Sequence, residues 1–125
     1  MSADQTEHRF VLRRDDGFVR VEWNRGVTVS ERDARELVQR LEEVNPDVCE
    51  PMVAILNSMV SLDAAALAIL ANDLNVSALA IVGPTAVDRT IAQYFREVHQ
   101  PAFPTRYFPA AAAAIDWLRT PGHSN

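Results

Sequence analysis

The sequence has few of the residues on which recognisable chemical sites depend. Its 125 residues include one cysteine, four glycines and three histidines. The single Cys49 excludes an internal disulfide and a multi-cysteine metal site, and His8, His99 and His123 lack the spacing of metal ligands. There is no glycine-rich phosphate loop, G-x-S-x-G motif or H-E-x-x-H motif. We therefore expect no metal, no cofactor and no enzymatic activity.

Excess positive charge and long apolar runs are also missing. The formal net charge is -5, so the chain lacks the basic character that nucleic acids and anionic membranes attract. No apolar stretch is long enough to span a membrane, and residues 1–9 hold no signal-peptide core. A free thiol at Cys49 is tolerated in a reducing compartment. These features predict a cytoplasmic protein without a nucleic-acid partner or a membrane span.

The sequence does contain short apolar segments that alternate with helical stretches. The segments are Met52–Leu56, Ala78–Val82 and Thr105–Phe108, and a helical pattern follows each of them. Such alternation is typical of a parallel α/β sheet. Upstream, HRFVLRR and FVRVEW each alternate apolar and polar residues around Asp15-Asp16-Gly17, which predicts a β-hairpin.

The predicted fold is therefore α/β, with an N-terminal β-hairpin followed by strand–helix repeats. These elements would form a mixed, mostly parallel sheet of about five strands with four helices. A single domain would extend over residues 8–119, with flexible tails at 1–7 and 120–125.

Two helices carry start signals in the sequence. Ser30 and Asp33 have the spacing of a capping box, as have Thr85 and Asp88. The second pair precedes apolar residues at helical spacing, which would form that helix's apolar face: Val87, Ile91, Tyr94, Phe95 and Val98.

The helix after Leu62 is alanine-rich and has almost no polar face. A helix that is apolar all round must be covered on more than one side, whereas right-handed crossovers would place all the helices on one face of the sheet. Two solutions are open: a homodimer, or helices divided between both faces by a reversal of strand order. We expect the homodimer, with Leu67 and Leu70 as candidate interface residues.

Polar residues follow the Met52–Leu56 strand, where ligands of open α/β sheets usually bind. Asn57, Ser58, Ser61 and Asp63 are the candidate contacts for a ligand or a partner protein. The alternative is that Ser61 or Asp63 merely caps the alanine-rich helix.

A second candidate lies after the next strand. Gly83 and Thr85 open a helix there, so their backbone amides could bind an anion. A simple strand-to-helix turn is the alternative, since one glycine is a weak signal.

The loop and the helix after it, MVAILNSMVSLDAAALAIL, resemble the centre of the STAS domain of anti-sigma-factor antagonists, which has the SpoIIAA-like fold. The second half, with its A-x-A-I-V-x-P, I-A-Q-Y-F, P-x-F-P-T-R-Y-F and A-I-D-W-L segments between Ala78 and Leu118, is similar to small bacterial STAS/SEC14-like proteins of uncharacterised function. The resemblance implies a hairpin followed by strand–helix units, and a regulatory role through a protein partner.

One departure from the family pattern affects function. In phosphorylatable STAS domains a serine follows the aspartate of this loop, whereas here Asp63 is followed by Ala64 and Ala65. The resemblance therefore implies an interaction domain without the phosphorylatable serine, with Ser58 and Ser61 as displaced substitutes.

Two classes of function remain open. The first is a non-enzymatic regulatory or protein-interaction domain that binds its partner through the loop and the alanine-rich helix. The second, which the SEC14-like resemblance implies, is a carrier of a small apolar or lipid-like ligand. The carrier needs a cavity, whose candidate lining is Leu67, Leu70, Ile91, Phe95 and Phe103.

Overall fold

The computed structural model describes residues 9–15, 17–44, 46 and 49–119, so the predicted tails at 1–7 and 120–125 lie outside the described residues. The strands are β1 (Phe10–Asp15), β2 (Phe18–Trp23), β3 (Thr28–Val29), β4 (Met52–Ile55), β5 (Ser61–Leu62), β6 (Leu79–Val82) and β7 (Thr105–Phe108). The helices are α1 (Glu31–Val44), α2 (Ala64–Asp73), α3 (Ala86–Tyr94), which continues into a π-helical turn (Phe95–His99), and α4 (Ala111–Arg119).

Five strands form the main sheet in the order β1-β2-β4-β6-β7, and β3 pairs with β5 in a separate two-stranded sheet. β1 and β2 form the antiparallel hairpin, with Gly17 at a φ of 86° in its turn. The other pairs of the main sheet are parallel. In the described part of the chain, the predicted hairpin, mostly parallel five-stranded sheet and four helices are all confirmed.

One face of the sheet packs against α1, α2 and α3. Because successive parallel strands are neighbours, right-handed crossovers bring all three connecting helices to this face. The period-two pattern of β2 supplies Val19, Val21 and Trp23 from the sheet, and all three are buried. The helices bury residues such as Leu37 and Leu67 in the same core.

The other face packs against α4, which follows the edge strand β7 and crosses back over the sheet. Val53 and Val82 form a second core there with Ala114 and Leu118 of α4. The helices are thus divided between both faces, although the order of the strands contains no reversal. Cover by a second copy of the chain is not needed on these grounds, so the structural reason for expecting a homodimer is weaker than the sequence suggested.

The apolar surface of the alanine-rich helix α2 is covered by other elements of the same chain. Its large side chains turn inward, and Leu67 is 3% exposed. Its solvent side carries small or polar residues, among them Ala64, Ala65 and Asn72. The cost of leaving that side in water is therefore small, because little apolar area is exposed.

Both predicted capping boxes form. The Asp33 amide donates to Ser30 Oγ at 3.3 Å, and the Ser30 amide donates to Asp33 Oδ2 at 3.0 Å. At α3 the Asp88 amide donates to Thr85 Oγ1 at 3.0 Å, and the Thr85 amide donates to Asp88 Oδ2 at 3.2 Å. Both boxes satisfy amides that the first turn of a helix leaves without partners.

Candidate functional site

The loop that follows β4 lies beyond the carboxyl ends of the parallel strands. Its backbone is fastened to the segment between β2 and β3 on both sides of Ser58. The Gly26 amide donates to the Asn57 carbonyl at 3.0 Å, and the Val60 amide donates to the Val27 carbonyl at 2.9 Å. Such bonds give the loop one defined path, because its backbone groups are paired within the fold.

Ser58 lies at the tip of this loop in a left-handed conformation, with a φ of 55°. A serine pays a steric penalty there that glycine would not. The flanking hydrogen bonds hold the strained residue in place, and its side chain is half-buried. A serine held in such a conformation at strand carboxyl ends is a feature of functional loops.

The third fastening of the loop is a buried carboxylate. Asp88 is 0% exposed, and its Oδ1 accepts the Met59 amide at 2.9 Å while its Oδ2 accepts the Thr85 amide. One side chain therefore caps α3 and holds the loop after β4 against that helix. Gly83 makes this possible, because a Cβ at residue 83 would lie 2.7 Å from Asp88 Cγ.

The four candidate residues of this region do not converge on one point. Asn57 Nδ2 donates to the Trp23 carbonyl at 2.7 Å, so this amide belongs to the fold. Ser61 lies on β5 with its Oγ 3.5 Å from Thr28 Oγ1. Asp63 occupies the N-cap position of α2, but its side chain makes no capping bond. Ser61 and Asp63 are thus exposed and Ser58 is half-buried, and each has different surroundings.

The turn at Gly83 and Thr85 has its amides occupied. The Thr85 amide binds the carboxylate of Asp88, and the Gly83 amide donates to the Phe108 carbonyl at 3.4 Å. The negative charge at this helix N-terminus is therefore supplied by the chain itself. An external anion at this turn would meet the negative charge of Asp88.

An apolar cavity of about 50 Å3 lies between the sheet and the three helices of the first face. Four of the five predicted residues line it, namely Leu67, Leu70, Ile91 and Phe95. Phe103 is buried in the same core but is not part of the lining. Since Leu67 and Leu70 face this cavity, an interface formed by α2 would have to use the opposite side of the helix.

The exposed side of α3 differs from the sequence prediction. Val87 is 50% exposed, Tyr94 is 45% exposed and Val98 is 56% exposed. The helix instead turns Asp88 and Ala92 into the protein. The apolar pattern was right for Ile91 and Phe95, which pack in the core, and wrong for Val87, Tyr94 and Val98, because the helix buries Asp88 and its hydrogen bonds instead.

The loop after β4 carries a further exposed apolar residue, Val60, which is 62% exposed. The hydrogen bond from the Met59 amide to Asp88 joins the residue before Val60 to the residue after Val87. We call Val60, Val87, Tyr94 and Val98 the apolar stripe.

Metal chemistry has no candidate site in the described part of the chain. No group of three or more histidine, cysteine, aspartate or glutamate residues there could hold an ion. The His99 ring packs instead against Tyr94, with ring centroids 5.6 Å apart, and against Phe95. His8 and His123 lie outside the described residues. In the same part of the chain, no helix has the length and apolar character needed to cross a membrane.

One polar feature could not be found from the sequence alone. Arg89 of α3 and Arg96 of the π-helical turn line a groove at the edge of the sheet, and Arg106 of β7 borders the same groove. The sequence gives no sign that Arg106 lies at this edge, because only the packing of α3 beside β7 places it there.

Comparison with known proteins identifies the family and supports the fold. The model of a domain of unknown function, DUF7793, matches residues 11–121, and the chain belongs to this family. An uncharacterised DUF3478-family protein from Shewanella loihica PV-4, which has a SpoIIAA-like fold, is 16% identical with a TM-score of 0.58, over 87% of this chain and 91% of that one.

A protein of unknown function from Arthrobacter sp. FB24 is 28% identical, over 86% of this chain and 97% of that one, with a TM-score of 0.33. No curated protein matches the chain. The expected SpoIIAA-like fold is thus confirmed, and the likeness shows the fold alone.

Proposed function

We propose that this member of the DUF7793 family is a non-enzymatic protein-interaction domain with a regulatory role. The observation that carries the proposal is the apolar stripe, a set of four exposed apolar residues on α3, on the π-helical turn after it and on the loop after β4. Sizeable exposed apolar patches mark protein contacts, whereas single exposed apolar residues are ordinary. A partner that buried Val60 and Val87 would remove both from water.

The hydrogen bonds of the loop support an interaction surface rather than a catalytic one. Asn57 and Asp88 are the polar groups best placed to take part in chemistry, and both are bonded to backbone groups of the fold. Those bonds hold the loop in one conformation. A surface that is already ordered loses little conformational entropy on binding, which favours recognition.

Regulation would differ from that of the phosphorylatable STAS domains that the sequence resembles. Ala64 and Ala65 follow Asp63, so the usual acceptor is missing. Binding and release of a partner at the apolar stripe would then depend on the affinity between the two proteins and not on phosphorylation after Asp63. The exposed thiol of Cys49 is compatible with a reducing compartment such as the cytoplasm.

The alternative, a carrier of a small apolar or lipid-like ligand, has weaker support. The cavity has the expected apolar lining, but its volume is about 50 Å3. Benzene is held by an engineered apolar cavity of roughly 150 Å3. A lipid chain would therefore require the helices to separate from the sheet.

The interaction proposal is tested by a pull-down from an extract of the organism that encodes the chain. The proteins retained by the wild type are compared with those retained by its Val60→Asp variant. We expect a protein retained by the wild type to lose at least about tenfold in recovery with Val60→Asp, because an aspartate would carry its charge into the contact. Quantitative mass spectrometry of the retained proteins is the measurement.

A matched control separates the stripe from a general effect of the added charge. Val11 of β1 is 60% exposed, almost the same as Val60 at 62%, so Val11→Asp makes the same chemical change elsewhere. Loss of a partner with Val60→Asp but not with Val11→Asp supports the proposal, and equal retention by all three proteins contradicts it. Light scattering then distinguishes a second copy of this chain from a different protein as the partner.

A further inference from the structure

The strand β7 forms one edge of the main sheet. The Leu79 amide donates to the Pro104 carbonyl at 2.8 Å, and the Gly83 amide donates to the Phe108 carbonyl. Because backbone groups alternate in direction along a parallel strand, residues 104, 106 and 108 bond to β6. The backbone N–H and C=O groups of Thr105 and Tyr107 then point away from β6. Thr105 is 4% exposed, whereas Tyr107 is partly exposed and can offer its groups to another strand.

Three arginines flank this edge. Arg89 lies on α3, and Arg96 lies on the π-helical turn that continues it. They line a groove between α3 and β7 together with Arg106. Arg106 belongs to the opposite side of β7, and its guanidinium lies 5.1 Å from the centre of the Phe108 ring. Positive charge is therefore present above and below the edge.

The charges of these three arginines are not neutralised by carboxylates of the described residues. Within that part of the chain, ion pairs involve six other arginines: Arg9, Arg13, Arg14, Arg20, Arg35 and Arg40. The groove is thus a local concentration of unpaired positive charge on a chain whose formal net charge is -5. Guanidinium groups bind carboxylates through two parallel hydrogen bonds, which makes them well suited to acidic side chains.

We propose that the edge of β7 binds an acidic, extended segment of a partner protein, which adds to the sheet as a sixth strand. Main-chain hydrogen bonds centred on Tyr107 would provide the strand pairing. Side chains of an added strand alternate between the two faces, so carboxylates on either face would meet an arginine. This surface is separate from the apolar stripe, because Arg89 and Arg96 lie on another side of α3 from Val87 and Tyr94.

The probe is a fluorescein-labelled peptide of alternating glutamate and threonine, whose binding is followed by fluorescence anisotropy at low salt. We expect saturable binding that weakens as salt is added. The double variant Arg89→Gln/Arg96→Gln should weaken binding at least about tenfold, since it removes two charge-assisted contacts. The variant Val60→Asp should bind the peptide as the wild type does, so this inference and the proposed function can fail independently.

Two controls keep the result specific. Arg35→Gln/Arg40→Gln makes the same change in net charge on α1, where both arginines are paired with glutamates, and should leave binding within about twofold. A peptide N-methylated at every residue has no backbone N–H to donate at either edge and should lose binding. Unchanged binding of this peptide, or equal loss in both double variants, would overturn strand addition.

Discussion

Replacing Asp88 with alanine is expected to lower the free energy of unfolding by about 3 kcal/mol. The substitution removes the acceptor of the Thr85 amide, which costs the cap of α3. It also leaves the Met59 amide without its partner next to a side chain that is 2% exposed. An unsatisfied buried donor costs more than the bond itself contributed, because the buried amide has lost its hydrogen bond to water and has gained no other partner. Urea unfolding followed by circular dichroism measures the difference.

The Thr85→Ala variant is the matched control for this prediction. It removes the Thr85 hydroxyl, the acceptor of the Asp88 amide, while leaving the bond from Met59 to Asp88 intact. Loss of one capping side chain costs about 1 kcal/mol. If Asp88→Ala lowers stability no more than Thr85→Ala does, the carboxylate does not hold the loop.

Gly83→Ala is the second substitution with a large expected effect, about 2–3 kcal/mol of lost stability. The new Cβ would be 2.7 Å from Asp88 Cγ and 2.8 Å from Asp88 Oδ2, distances that require something to move. Asp88 is fully buried and bonded on both oxygens, so it cannot swing aside without breaking its bonds to Met59 or Thr85. Thermal and urea unfolding of the variant give the loss.

Gly26→Ala distinguishes this packing effect from backbone strain. Gly26 has a φ of 69° and no atom within 4 Å of an added Cβ, so alanine there meets only the left-handed penalty of about 1 kcal/mol. Gly83 shows no such positive φ, and its cost comes from the clash alone. Equal losses for the two variants would mean that the close packing of Gly83 on Asp88 has no energetic importance.

Local signals account for what the sequence predicts correctly. The hairpin follows from alternation around Gly17, and both capping boxes follow from Ser30, Asp33, Thr85 and Asp88, because each involves residues that are near one another in the chain. The strands are likewise marked by their own composition. None of these features requires knowledge of the packing between elements.

Features set by packing were predicted less well. The apolar pattern of α3 indicated Val87 and Tyr94 as buried, but the hydrogen bond from Met59 to Asp88 links residues 29 positions apart and turns an aspartate inward. The return of α4 to the second face has no local sequence signal either. The groove at β7 has no local sequence signal either, since only the packing of α3 beside that strand places Arg106 and Arg89 at the same edge.

The central claim is that Asp88 holds the loop after β4 and the start of α3 together as one preformed surface. Amide hydrogen exchange of Met59, measured by NMR, tests it most directly. We predict slow exchange in the wild type and in Thr85→Ala, and exchange at least about a hundredfold faster in Asp88→Ala, because alanine leaves the Met59 amide without an acceptor. Exchange of the wild-type Met59 amide at the rate of an open loop would contradict the claim.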